Sequence, residues 1–220
     1  MRGERHMTEI RTIGIIGAGR VGTAVARRAV AAGYEVRVAS ARPAAETGLL
    51  LQFTAPGAVA GDLADVIAAS DLVVLALPLS RYRSLAPEAL AGKIVIDAMN
   101  YWPATDGTLA DFEAPRASSE VVAAHLPGAR LVRSLNHLGY HEIDGAARHK
   151  GDADRRAMAV AGDDPAARAA VAGFIDRIGF DPVDAGPLSA ARAFAIGSPV
   201  FGAVLNQDDL RAALTALRAA

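Results

Sequence analysis

The densest chemical signal in the chain is a short glycine-rich run, Gly17-Ala18-Gly19-Arg20-Val21-Gly22. An apolar, β-branched stretch containing Ile13, Ile15 and Ile16 leads straight into it, and an alanine-rich helical pattern follows it. Alone, G-x-G-x-x-G is a weak pattern; framed by a strand and a helix it becomes a dinucleotide-binding fingerprint. Gly17 permits the tight turn, Gly19 leaves room for a pyrophosphate against the backbone, and Gly22 lets the helix pack close to the strand. The phosphates then lie on the helix N-terminus, where unpaired N–H groups and the helix dipole attract anions.

The end of the next strand decides which dinucleotide is held. Tyr34 to Ala39 reads as that strand. NAD sites usually place an acidic residue there to accept hydrogen bonds from the adenine ribose. Ala39 takes that place here, and Ser40, Ala41 and Arg42 follow. A hydroxyl and a guanidinium suit a ribose 2′-phosphate, in a contact worth about 1.5–3 kcal/mol. NADP(H) is therefore expected in preference to NAD(H); the alternative for Arg42 is a solvated loop position.

The reactive end of such a cofactor meets residues after the carboxyl ends of the later strands. Three segments qualify: Leu77-Pro78-Leu79-Ser80, Ala98-Met99-Asn100-Tyr101, and Ser134 to His141. From them, Leu77, Pro78, Ser80, Ala98 and Asn100 are expected to contact the cofactor, with Asn136 and His137 as the catalytic candidates. For His137 a place in the nicotinamide pocket and a structural hydrogen bond both fit. The only lysines are Lys93, at the start of a strand, and Lys150, in a charged loop, and no Tyr-x-x-x-Lys pair exists. Alcohol dehydrogenation normally needs a group to take the hydroxyl proton. Hydride exchange between two ring systems can run on orientation and exclusion of water, and the poverty of acid–base groups favours it. His137, His141 and His149 lie near Glu142, but Gly139 interrupts their helical spacing and no metal is expected. His125 reads as a helix-end or surface residue. Trp102 reads either as a stacking platform or as packing.

These residues need a scaffold, and the pattern supplies one. Apolar strands alternate with helical stretches: Ala58 to Ala60, Asp71 to Pro78, Lys93 to Ala98, Arg130 to Leu135, Met158 to Ala161 and Asp181 to Asp184 follow the first two strands. Helices are expected from Asp62 to Ala69, Arg81 to Leu90, Ser118 to His125 and Pro165 to Ile178. A loop with one helical turn is expected from Ala44 to Gly57. This order implies a Rossmann-type α/β fold, a doubly wound and mostly parallel sheet with a short C-terminal helical extension. Two polar loops, Trp102 to Ala117 and Glu142 to Arg156, fall at the ligand edge, where either would serve as a lid.

At 220 residues the chain suits one domain from residue 10 to 220, after a flexible charged segment over residues 1–9 in which Met7 is a natural start. A net charge of −1, from 23 basic and 24 acidic residues, gives no reason to expect nucleic acid or an anionic membrane as partner. The absence of cysteine excludes disulfides, thiol nucleophiles and cysteine-held metals. No signal-peptide core or membrane-length apolar run is present, so a cytoplasmic location is expected. The apolar tail from Ala193 to Leu205 suggests a homodimer interface or a cover for the acceptor pocket, with packing on the chain's own sheet as the alternative.

Several longer stretches resemble one family. The G-A-G-R-V-G turn, Ser40-Ala41-Arg42, G-K-I-V-I-D-A-M-N, S-S-E-V-V-A-A-H-L-P-G-A and D-A-G-P-L are together similar to the NADP-dependent oxidoreductases of the coenzyme F420-dependent type. That family in turn resembles the cytosolic domain of the six-transmembrane metalloreductases. The similarity runs from about Ile10 to Val204. It implies an NADP reductase that passes hydride to a deazaflavin, with coenzyme F420 or a flavin as co-substrate. It also implies Ser40 and Arg42 on the 2′-phosphate and His137 beside the reacting rings. Family members often carry two arginines after the serine; Ala41 stands in place of the first. Two other functions use the same residues: a non-catalytic NADP(H)-binding regulator or scaffold, and, more weakly, a hydroxy-acid dehydrogenase.

Overall fold

A computed structural model describes residues 9–113 and 116–219; the expected flexible N-terminal segment, apart from Glu9, lies outside the described residues. Eight strands form a single sheet: β1 (Thr12–Ile16), β2 (Glu35–Ala39), β3 (Val59–Ala60), β4 (Leu72–Leu75), β5 (Ile94–Asp97), β6 (Arg130–Arg133), β7 (Ala157–Gly162) and β8 (Asp181–Gly186). Their spatial order is β3-β2-β1-β4-β5-β6-β7-β8. The first six strands run parallel, β7 is antiparallel to β6, and β8 is parallel to β7. The chain order reverses between β1 and β4, and that reversal opens a crevice at their carboxyl ends.

The sheet is buried on both faces, so its strands are apolar throughout and their side chains divide by alternation. Ile13, Ile15, Val36, Val38, Leu72 and Val74 point to one side. There they meet Ala24, Val25 and Ala29 of α1 (Arg20–Ala31) and Val171, Phe174 and Ile175 of α8 (Pro165–Arg177). Ile16, Val73, Leu75, Val95 and Leu131 point to the other, against Val121 and Val122 of α6 (Ser118–His125). A third cluster joins Ala159, Val183 and Ala185 to Leu210 and Leu214 of α9 (Gln207–Ala219), the expected C-terminal extension. Phe194 and Val200 of the apolar tail are fully buried in it and Ala193 and Leu205 pack against it, while Ile196 and Val204 are exposed.

Two expectations need correction. The stretch after Pro43 is an eleven-residue helix, α2 (Ala44–Thr54), rather than a loop with one turn. Its apolar residues make no stripe, and Leu49 and Phe53 are exposed, which hid its helical period. The segment Arg81 to Leu90 is not one helix. It holds a 3₁₀ turn (Leu79–Ser84) and, beyond an extended Ala86, a single turn, α4 (Pro87–Leu90). Pro87 disfavours a helical conformation at the residue before it and lacks the N–H that a continuing helix needs. The remaining helices are α3 (Leu63–Ala69), α5 (Pro103–Asp106) and α7 (Tyr140–Gly145). Asp164 caps α8 as its sequence suggests, accepting the N–H groups of Ala166 and Ala167.

Candidate cofactor and active site

The glycine-rich run forms a tight turn between β1 and α1. Gly17 sits at φ 118°, and its N–H donates to the Ala39 carbonyl at 2.8 Å, tying the turn to the end of β2. A Cβ on Gly17 would lie 2.3 Å from the Ala76 carbonyl oxygen. On Gly22 a Cβ would come within 1.9 Å of the Gly17 oxygen and 3.3 Å of Ile15, so Gly22 clears the turn first and the strand second. Gly19 differs, because a Cβ there meets nothing within 4 Å. The first α1 bond in the turn runs from Thr23 N–H to the Gly19 carbonyl at 2.9 Å. The N–H groups of Arg20, Val21 and Gly22 precede it and have no carbonyl within their own helix. Open space at Gly19 beside those donors fits a pyrophosphate. Ala18 and Val21 are half-buried in the turn. Arg20 is exposed, its guanidinium carbon 5.4 Å from the centre of the Tyr140 ring on α7.

At the end of β2, Ala39 is buried and offers no acid. Ser40 Oγ accepts the Arg42 N–H at 3.0 Å and lies 2.7 Å from the hydroxyl of Thr47. Thr47, buried in the first turns of α2, was missed because that stretch reads as loop. Its hydroxyl braces the Ser40–Arg42 turn. The Arg42 guanidinium is exposed and has no hydrogen-bond or salt-bridge partner among the described residues.

The floor of the edge beyond β4 is a buried ion pair that the residue pattern did not reveal. Asp97 ends β5 and Arg133 ends β6; the two are register partners, with Oδ2 and Nη1 3.0 Å apart and both side chains essentially without exposure. Asp97 also accepts the Met99 N–H at 3.0 Å and the Ser119 hydroxyl at 2.6 Å. Arg133 donates to the Met99 carbonyl and, at 2.8 Å, to Asn100 Oδ1. Asn100 Nδ2 in turn donates to the Asn136 carbonyl at 2.8 Å. The network thus fixes the backbone after β5 and β6 and holds Asn100 at the surface of the crevice. Its signal in the sequence was a charge closing each of two apolar strands and the second serine of S-S-E.

Of the other expected cofactor residues, Leu77, Pro78 and Ser80 follow β4 directly, with Pro78 and Ser80 exposed, while Ala98 is buried beneath them, its N–H on the Leu75 carbonyl. The two catalytic candidates are not at the surface. Asn136 and His137 are each 2% exposed. Asn136 Nδ2 donates to the Phe194 carbonyl at 3.0 Å. His137 Nε2 accepts the Ala159 N–H at 3.0 Å, and the Ser134 hydroxyl donates to the Ala159 carbonyl at 2.9 Å. Backbone pairing between β6 and β7 covers only Val132 with Gly162 and Arg133 with Ala161. Ser134 and His137 therefore extend the ladder with side chains where the strands diverge. Leu135, between them, stands at φ 65°, a strained conformation for a non-glycine residue. That conformation accompanies the inward turn of Asn136 and His137. The structural alternative for His137 is the one its burial supports. Burial, with the charge of Arg133 adding to it, pushes its pKa down to about 4, so the ring is neutral.

As far as Glu113, the loop after β5 bonds to itself and to the loop after β4. Tyr101 and Glu113 are bonded at 2.7 Å, and Asp111 accepts from the Tyr82 hydroxyl. Gly139 starts α7 instead of breaking it, its N–H held by Glu142 at 2.7 Å. No metal-binding group of three or more ligands occurs among the described residues, and no described helix is long and apolar enough to cross a membrane. A broad groove of about 1070 Å³ lies at the opposite, amino edge of the sheet, lined by Tyr34, Lys93, Arg130 and Arg177. Its cations are already engaged. Lys93 donates to the Ala68 and Ser70 carbonyls, Arg130 to Asp164, and Arg177 to the Ala32 carbonyl. Doubly wound sheets bind ligands at the carboxyl edge, where the unpaired N–H groups and Arg42 stand.

Known proteins share parts of this sequence and fold. Residues 12–101 match the family model of NADP oxidoreductases, coenzyme F420-dependent. The fold is similar to a hypothetical protein from Sinorhizobium meliloti, with 30% identity, a TM-score of 0.79, and coverage of 90% of this chain and 97% of that one. It is also similar to an Arthrobacter sp. FB24 protein assigned as an F420-dependent NADP reductase, at 28% identity and a TM-score of 0.70, over 84% of this chain and 88% of that one. Among curated proteins, the rat metalloreductase STEAP3 is 28% identical over 185 residues, 82% of this chain; the alignment spans 35% of the rat protein.

The neutral, buried His137 gives a stability signature. Its pKa rises from about 4 in the folded chain to an ordinary 6.5 on unfolding, so the unfolded state binds the extra proton. The stability it contributes is present above about pH 6.5 and is lost as the pH falls toward 4. Urea denaturation at both ends of that window is expected to show the parent protein losing up to about 3 kcal/mol more than His137→Gln. Parallel losses in the two proteins would place His137 in solvent contact.

Proposed function

This chain belongs to the family of coenzyme F420-dependent NADP oxidoreductases, and on that premise we propose that it transfers hydride between NADP(H) and a small acceptor of the deazaflavin or flavin type. The observation that carries the proposal is the open space at Gly19 beside the unpaired N–H groups of Arg20, Val21 and Gly22. Those donors and the α1 dipole hold the pyrophosphate. Arg42, with Ser40 and Thr47 shaping its turn, holds the 2′-phosphate that an acid at position 39 would repel.

Leu77, Pro78 and Ser80 on one side and Asn100 on the other border the space for the nicotinamide. The Asn100 amide has one N–H left after bonding the Asn136 carbonyl, and it is placed to orient the carboxamide. When bound, the nicotinamide would supply two electrons and a proton as hydride, and the acceptor's second proton would come from bulk solvent once the transfer is complete. The chain's contribution is orientation and shelter from water. A hydroxy-acid dehydrogenase would need a base at this edge. Lys93 lies at the other one, bound to two backbone carbonyls, and His137 is buried and neutral. The rat relative's reduction of metals would involve a protein of which this chain spans about a third.

Two substitutions test the cofactor assignment. Arg42→Ala is expected to weaken NADPH by about one to two decades and NADH little, measured by calorimetric titration. Equal losses for both would remove Arg42 from the 2′-phosphate. Gly19→Val is expected to abolish binding of both dinucleotides in a protein that still folds, since its side chain meets only open space. An unchanged NADPH affinity in that variant would refute the placement of the pyrophosphate.

A further inference from the structure

Trp102 is the chain's one tryptophan and has no part in the contacts described so far. It stands between β5 and α5, and 47% of it is exposed. Phe201 packs edge-on beside it, with ring centres 6.0 Å apart and an interplanar angle of 73°. Two anchors tie the segments carrying this pair to the loops that follow β4 and β6. Asp106 accepts the Trp102 N–H at 2.9 Å on one oxygen and the Ser80 N–H at 3.3 Å on the other. One carboxylate therefore joins the indole's loop to the loop that borders the nicotinamide space. On the far side, the Gly202 N–H donates to the His137 carbonyl at 2.8 Å, fastening the Phe201 segment to the loop after β6.

An aromatic side chain gains most of its stabilisation by burial, yet this indole stands half-exposed at the ligand edge, on a backbone whose N–H is bonded to Asp106. The dinucleotide comes in over β1 and β2, from Gly19 and Arg42. The nicotinamide reaches the crevice beside β4, and Trp102 lies one strand further on. An acceptor must meet the nicotinamide from that outer side. Resting on the oxidoreductase reading above, we infer that Trp102, backed by Phe201, is the stacking platform for the planar fused ring of the hydride acceptor. Stacking on an indole favours any flat π-surface, so the chemistry fits a flavin or a deazaflavin equally, whereas a compact, non-planar acceptor gains nothing from it.

Calorimetric titrations of flavin mononucleotide and of coenzyme F420, each with and without NADP⁺, test this in the parent protein, Trp102→Phe and Trp102→Ala. In the parent, binding of either ring compound is also expected to quench the single tryptophan's emission, and the compound that binds identifies the acceptor type. Trp102→Ala is expected to weaken that compound about ten- to hundredfold and Trp102→Phe by less than about threefold, with NADP⁺ affinity unchanged in both. The platform is overturned if the alanine variant binds the ring compound as the parent does. It is equally overturned if NADP⁺ is lost in parallel, or if neither compound binds the parent. NADP⁺ binding in the same titrations stands or falls separately, so a failed platform and a failed oxidoreductase assignment give different results.

Discussion

A carboxylate and a guanidinium buried against each other at the ends of β5 and β6 govern the backbone on which the candidate site is built. Asp97 and Arg133 are shut off from water, and each uses its remaining capacity on the chain that follows: Met99 N–H and carbonyl, Ser119, Asn100. A buried pair of this kind adds little net stability compared with apolar residues of the same volume, but loss of one partner typically costs about 3–5 kcal/mol. Its consequence here is geometric. The loops after two adjacent parallel strands are bonded to each other through it, and Asn100 and the Asn136 carbonyl are fixed by that network.

The two edges of the sheet differ in how their charges are used. At the amino edge Lys93, Arg130 and Arg177 are tied to backbone carbonyls or to Asp164, which leaves the large groove there without a free cation among the residues named. At the carboxyl edge the helix N-terminus and Arg42 remain without anionic partners among the described residues. Unpaired positive groups thus stand on the side where the chain order reverses, which is the side proposed for the polyanionic dinucleotide.

The sheet, its strands to within a few residues and the glycine-rich turn were legible in the sequence because each leaves a local mark: β-branched runs, a framed glycine pattern, a proline after a capping aspartate. The missing acid at Ala39 was legible too. What escaped was set by contacts between distant segments. His137 was left between a pocket role and a structural hydrogen bond because it follows a strand end, and the divergence of an antiparallel β7 is what turns it inward onto Ala159. Asp97 and Ser119 stood in stretches recognised as characteristic, but their pairing across 22 residues has no periodic signature. The helix carrying Thr47 was invisible because Leu49 and Phe53 face solvent and no apolar stripe forms. Trp102 was noticed and left between two roles; only the bridging of its loop by Asp106 sets it beside the β4 edge.

On the proposed function, NADP(H) binds at the carboxyl edge around the Gly17–Gly22 turn, with its reactive end carried toward Asn100. A crystal structure of the protein with NADP⁺ tests that directly. The pyrophosphate should lie on the N–H groups of Arg20, Val21 and Gly22, the 2′-phosphate on Arg42, and the nicotinamide between Leu77 and Asn100. A dinucleotide seated instead in the groove of Tyr34, Lys93 and Arg177, or one whose 2′-phosphate points away from Arg42, would contradict it.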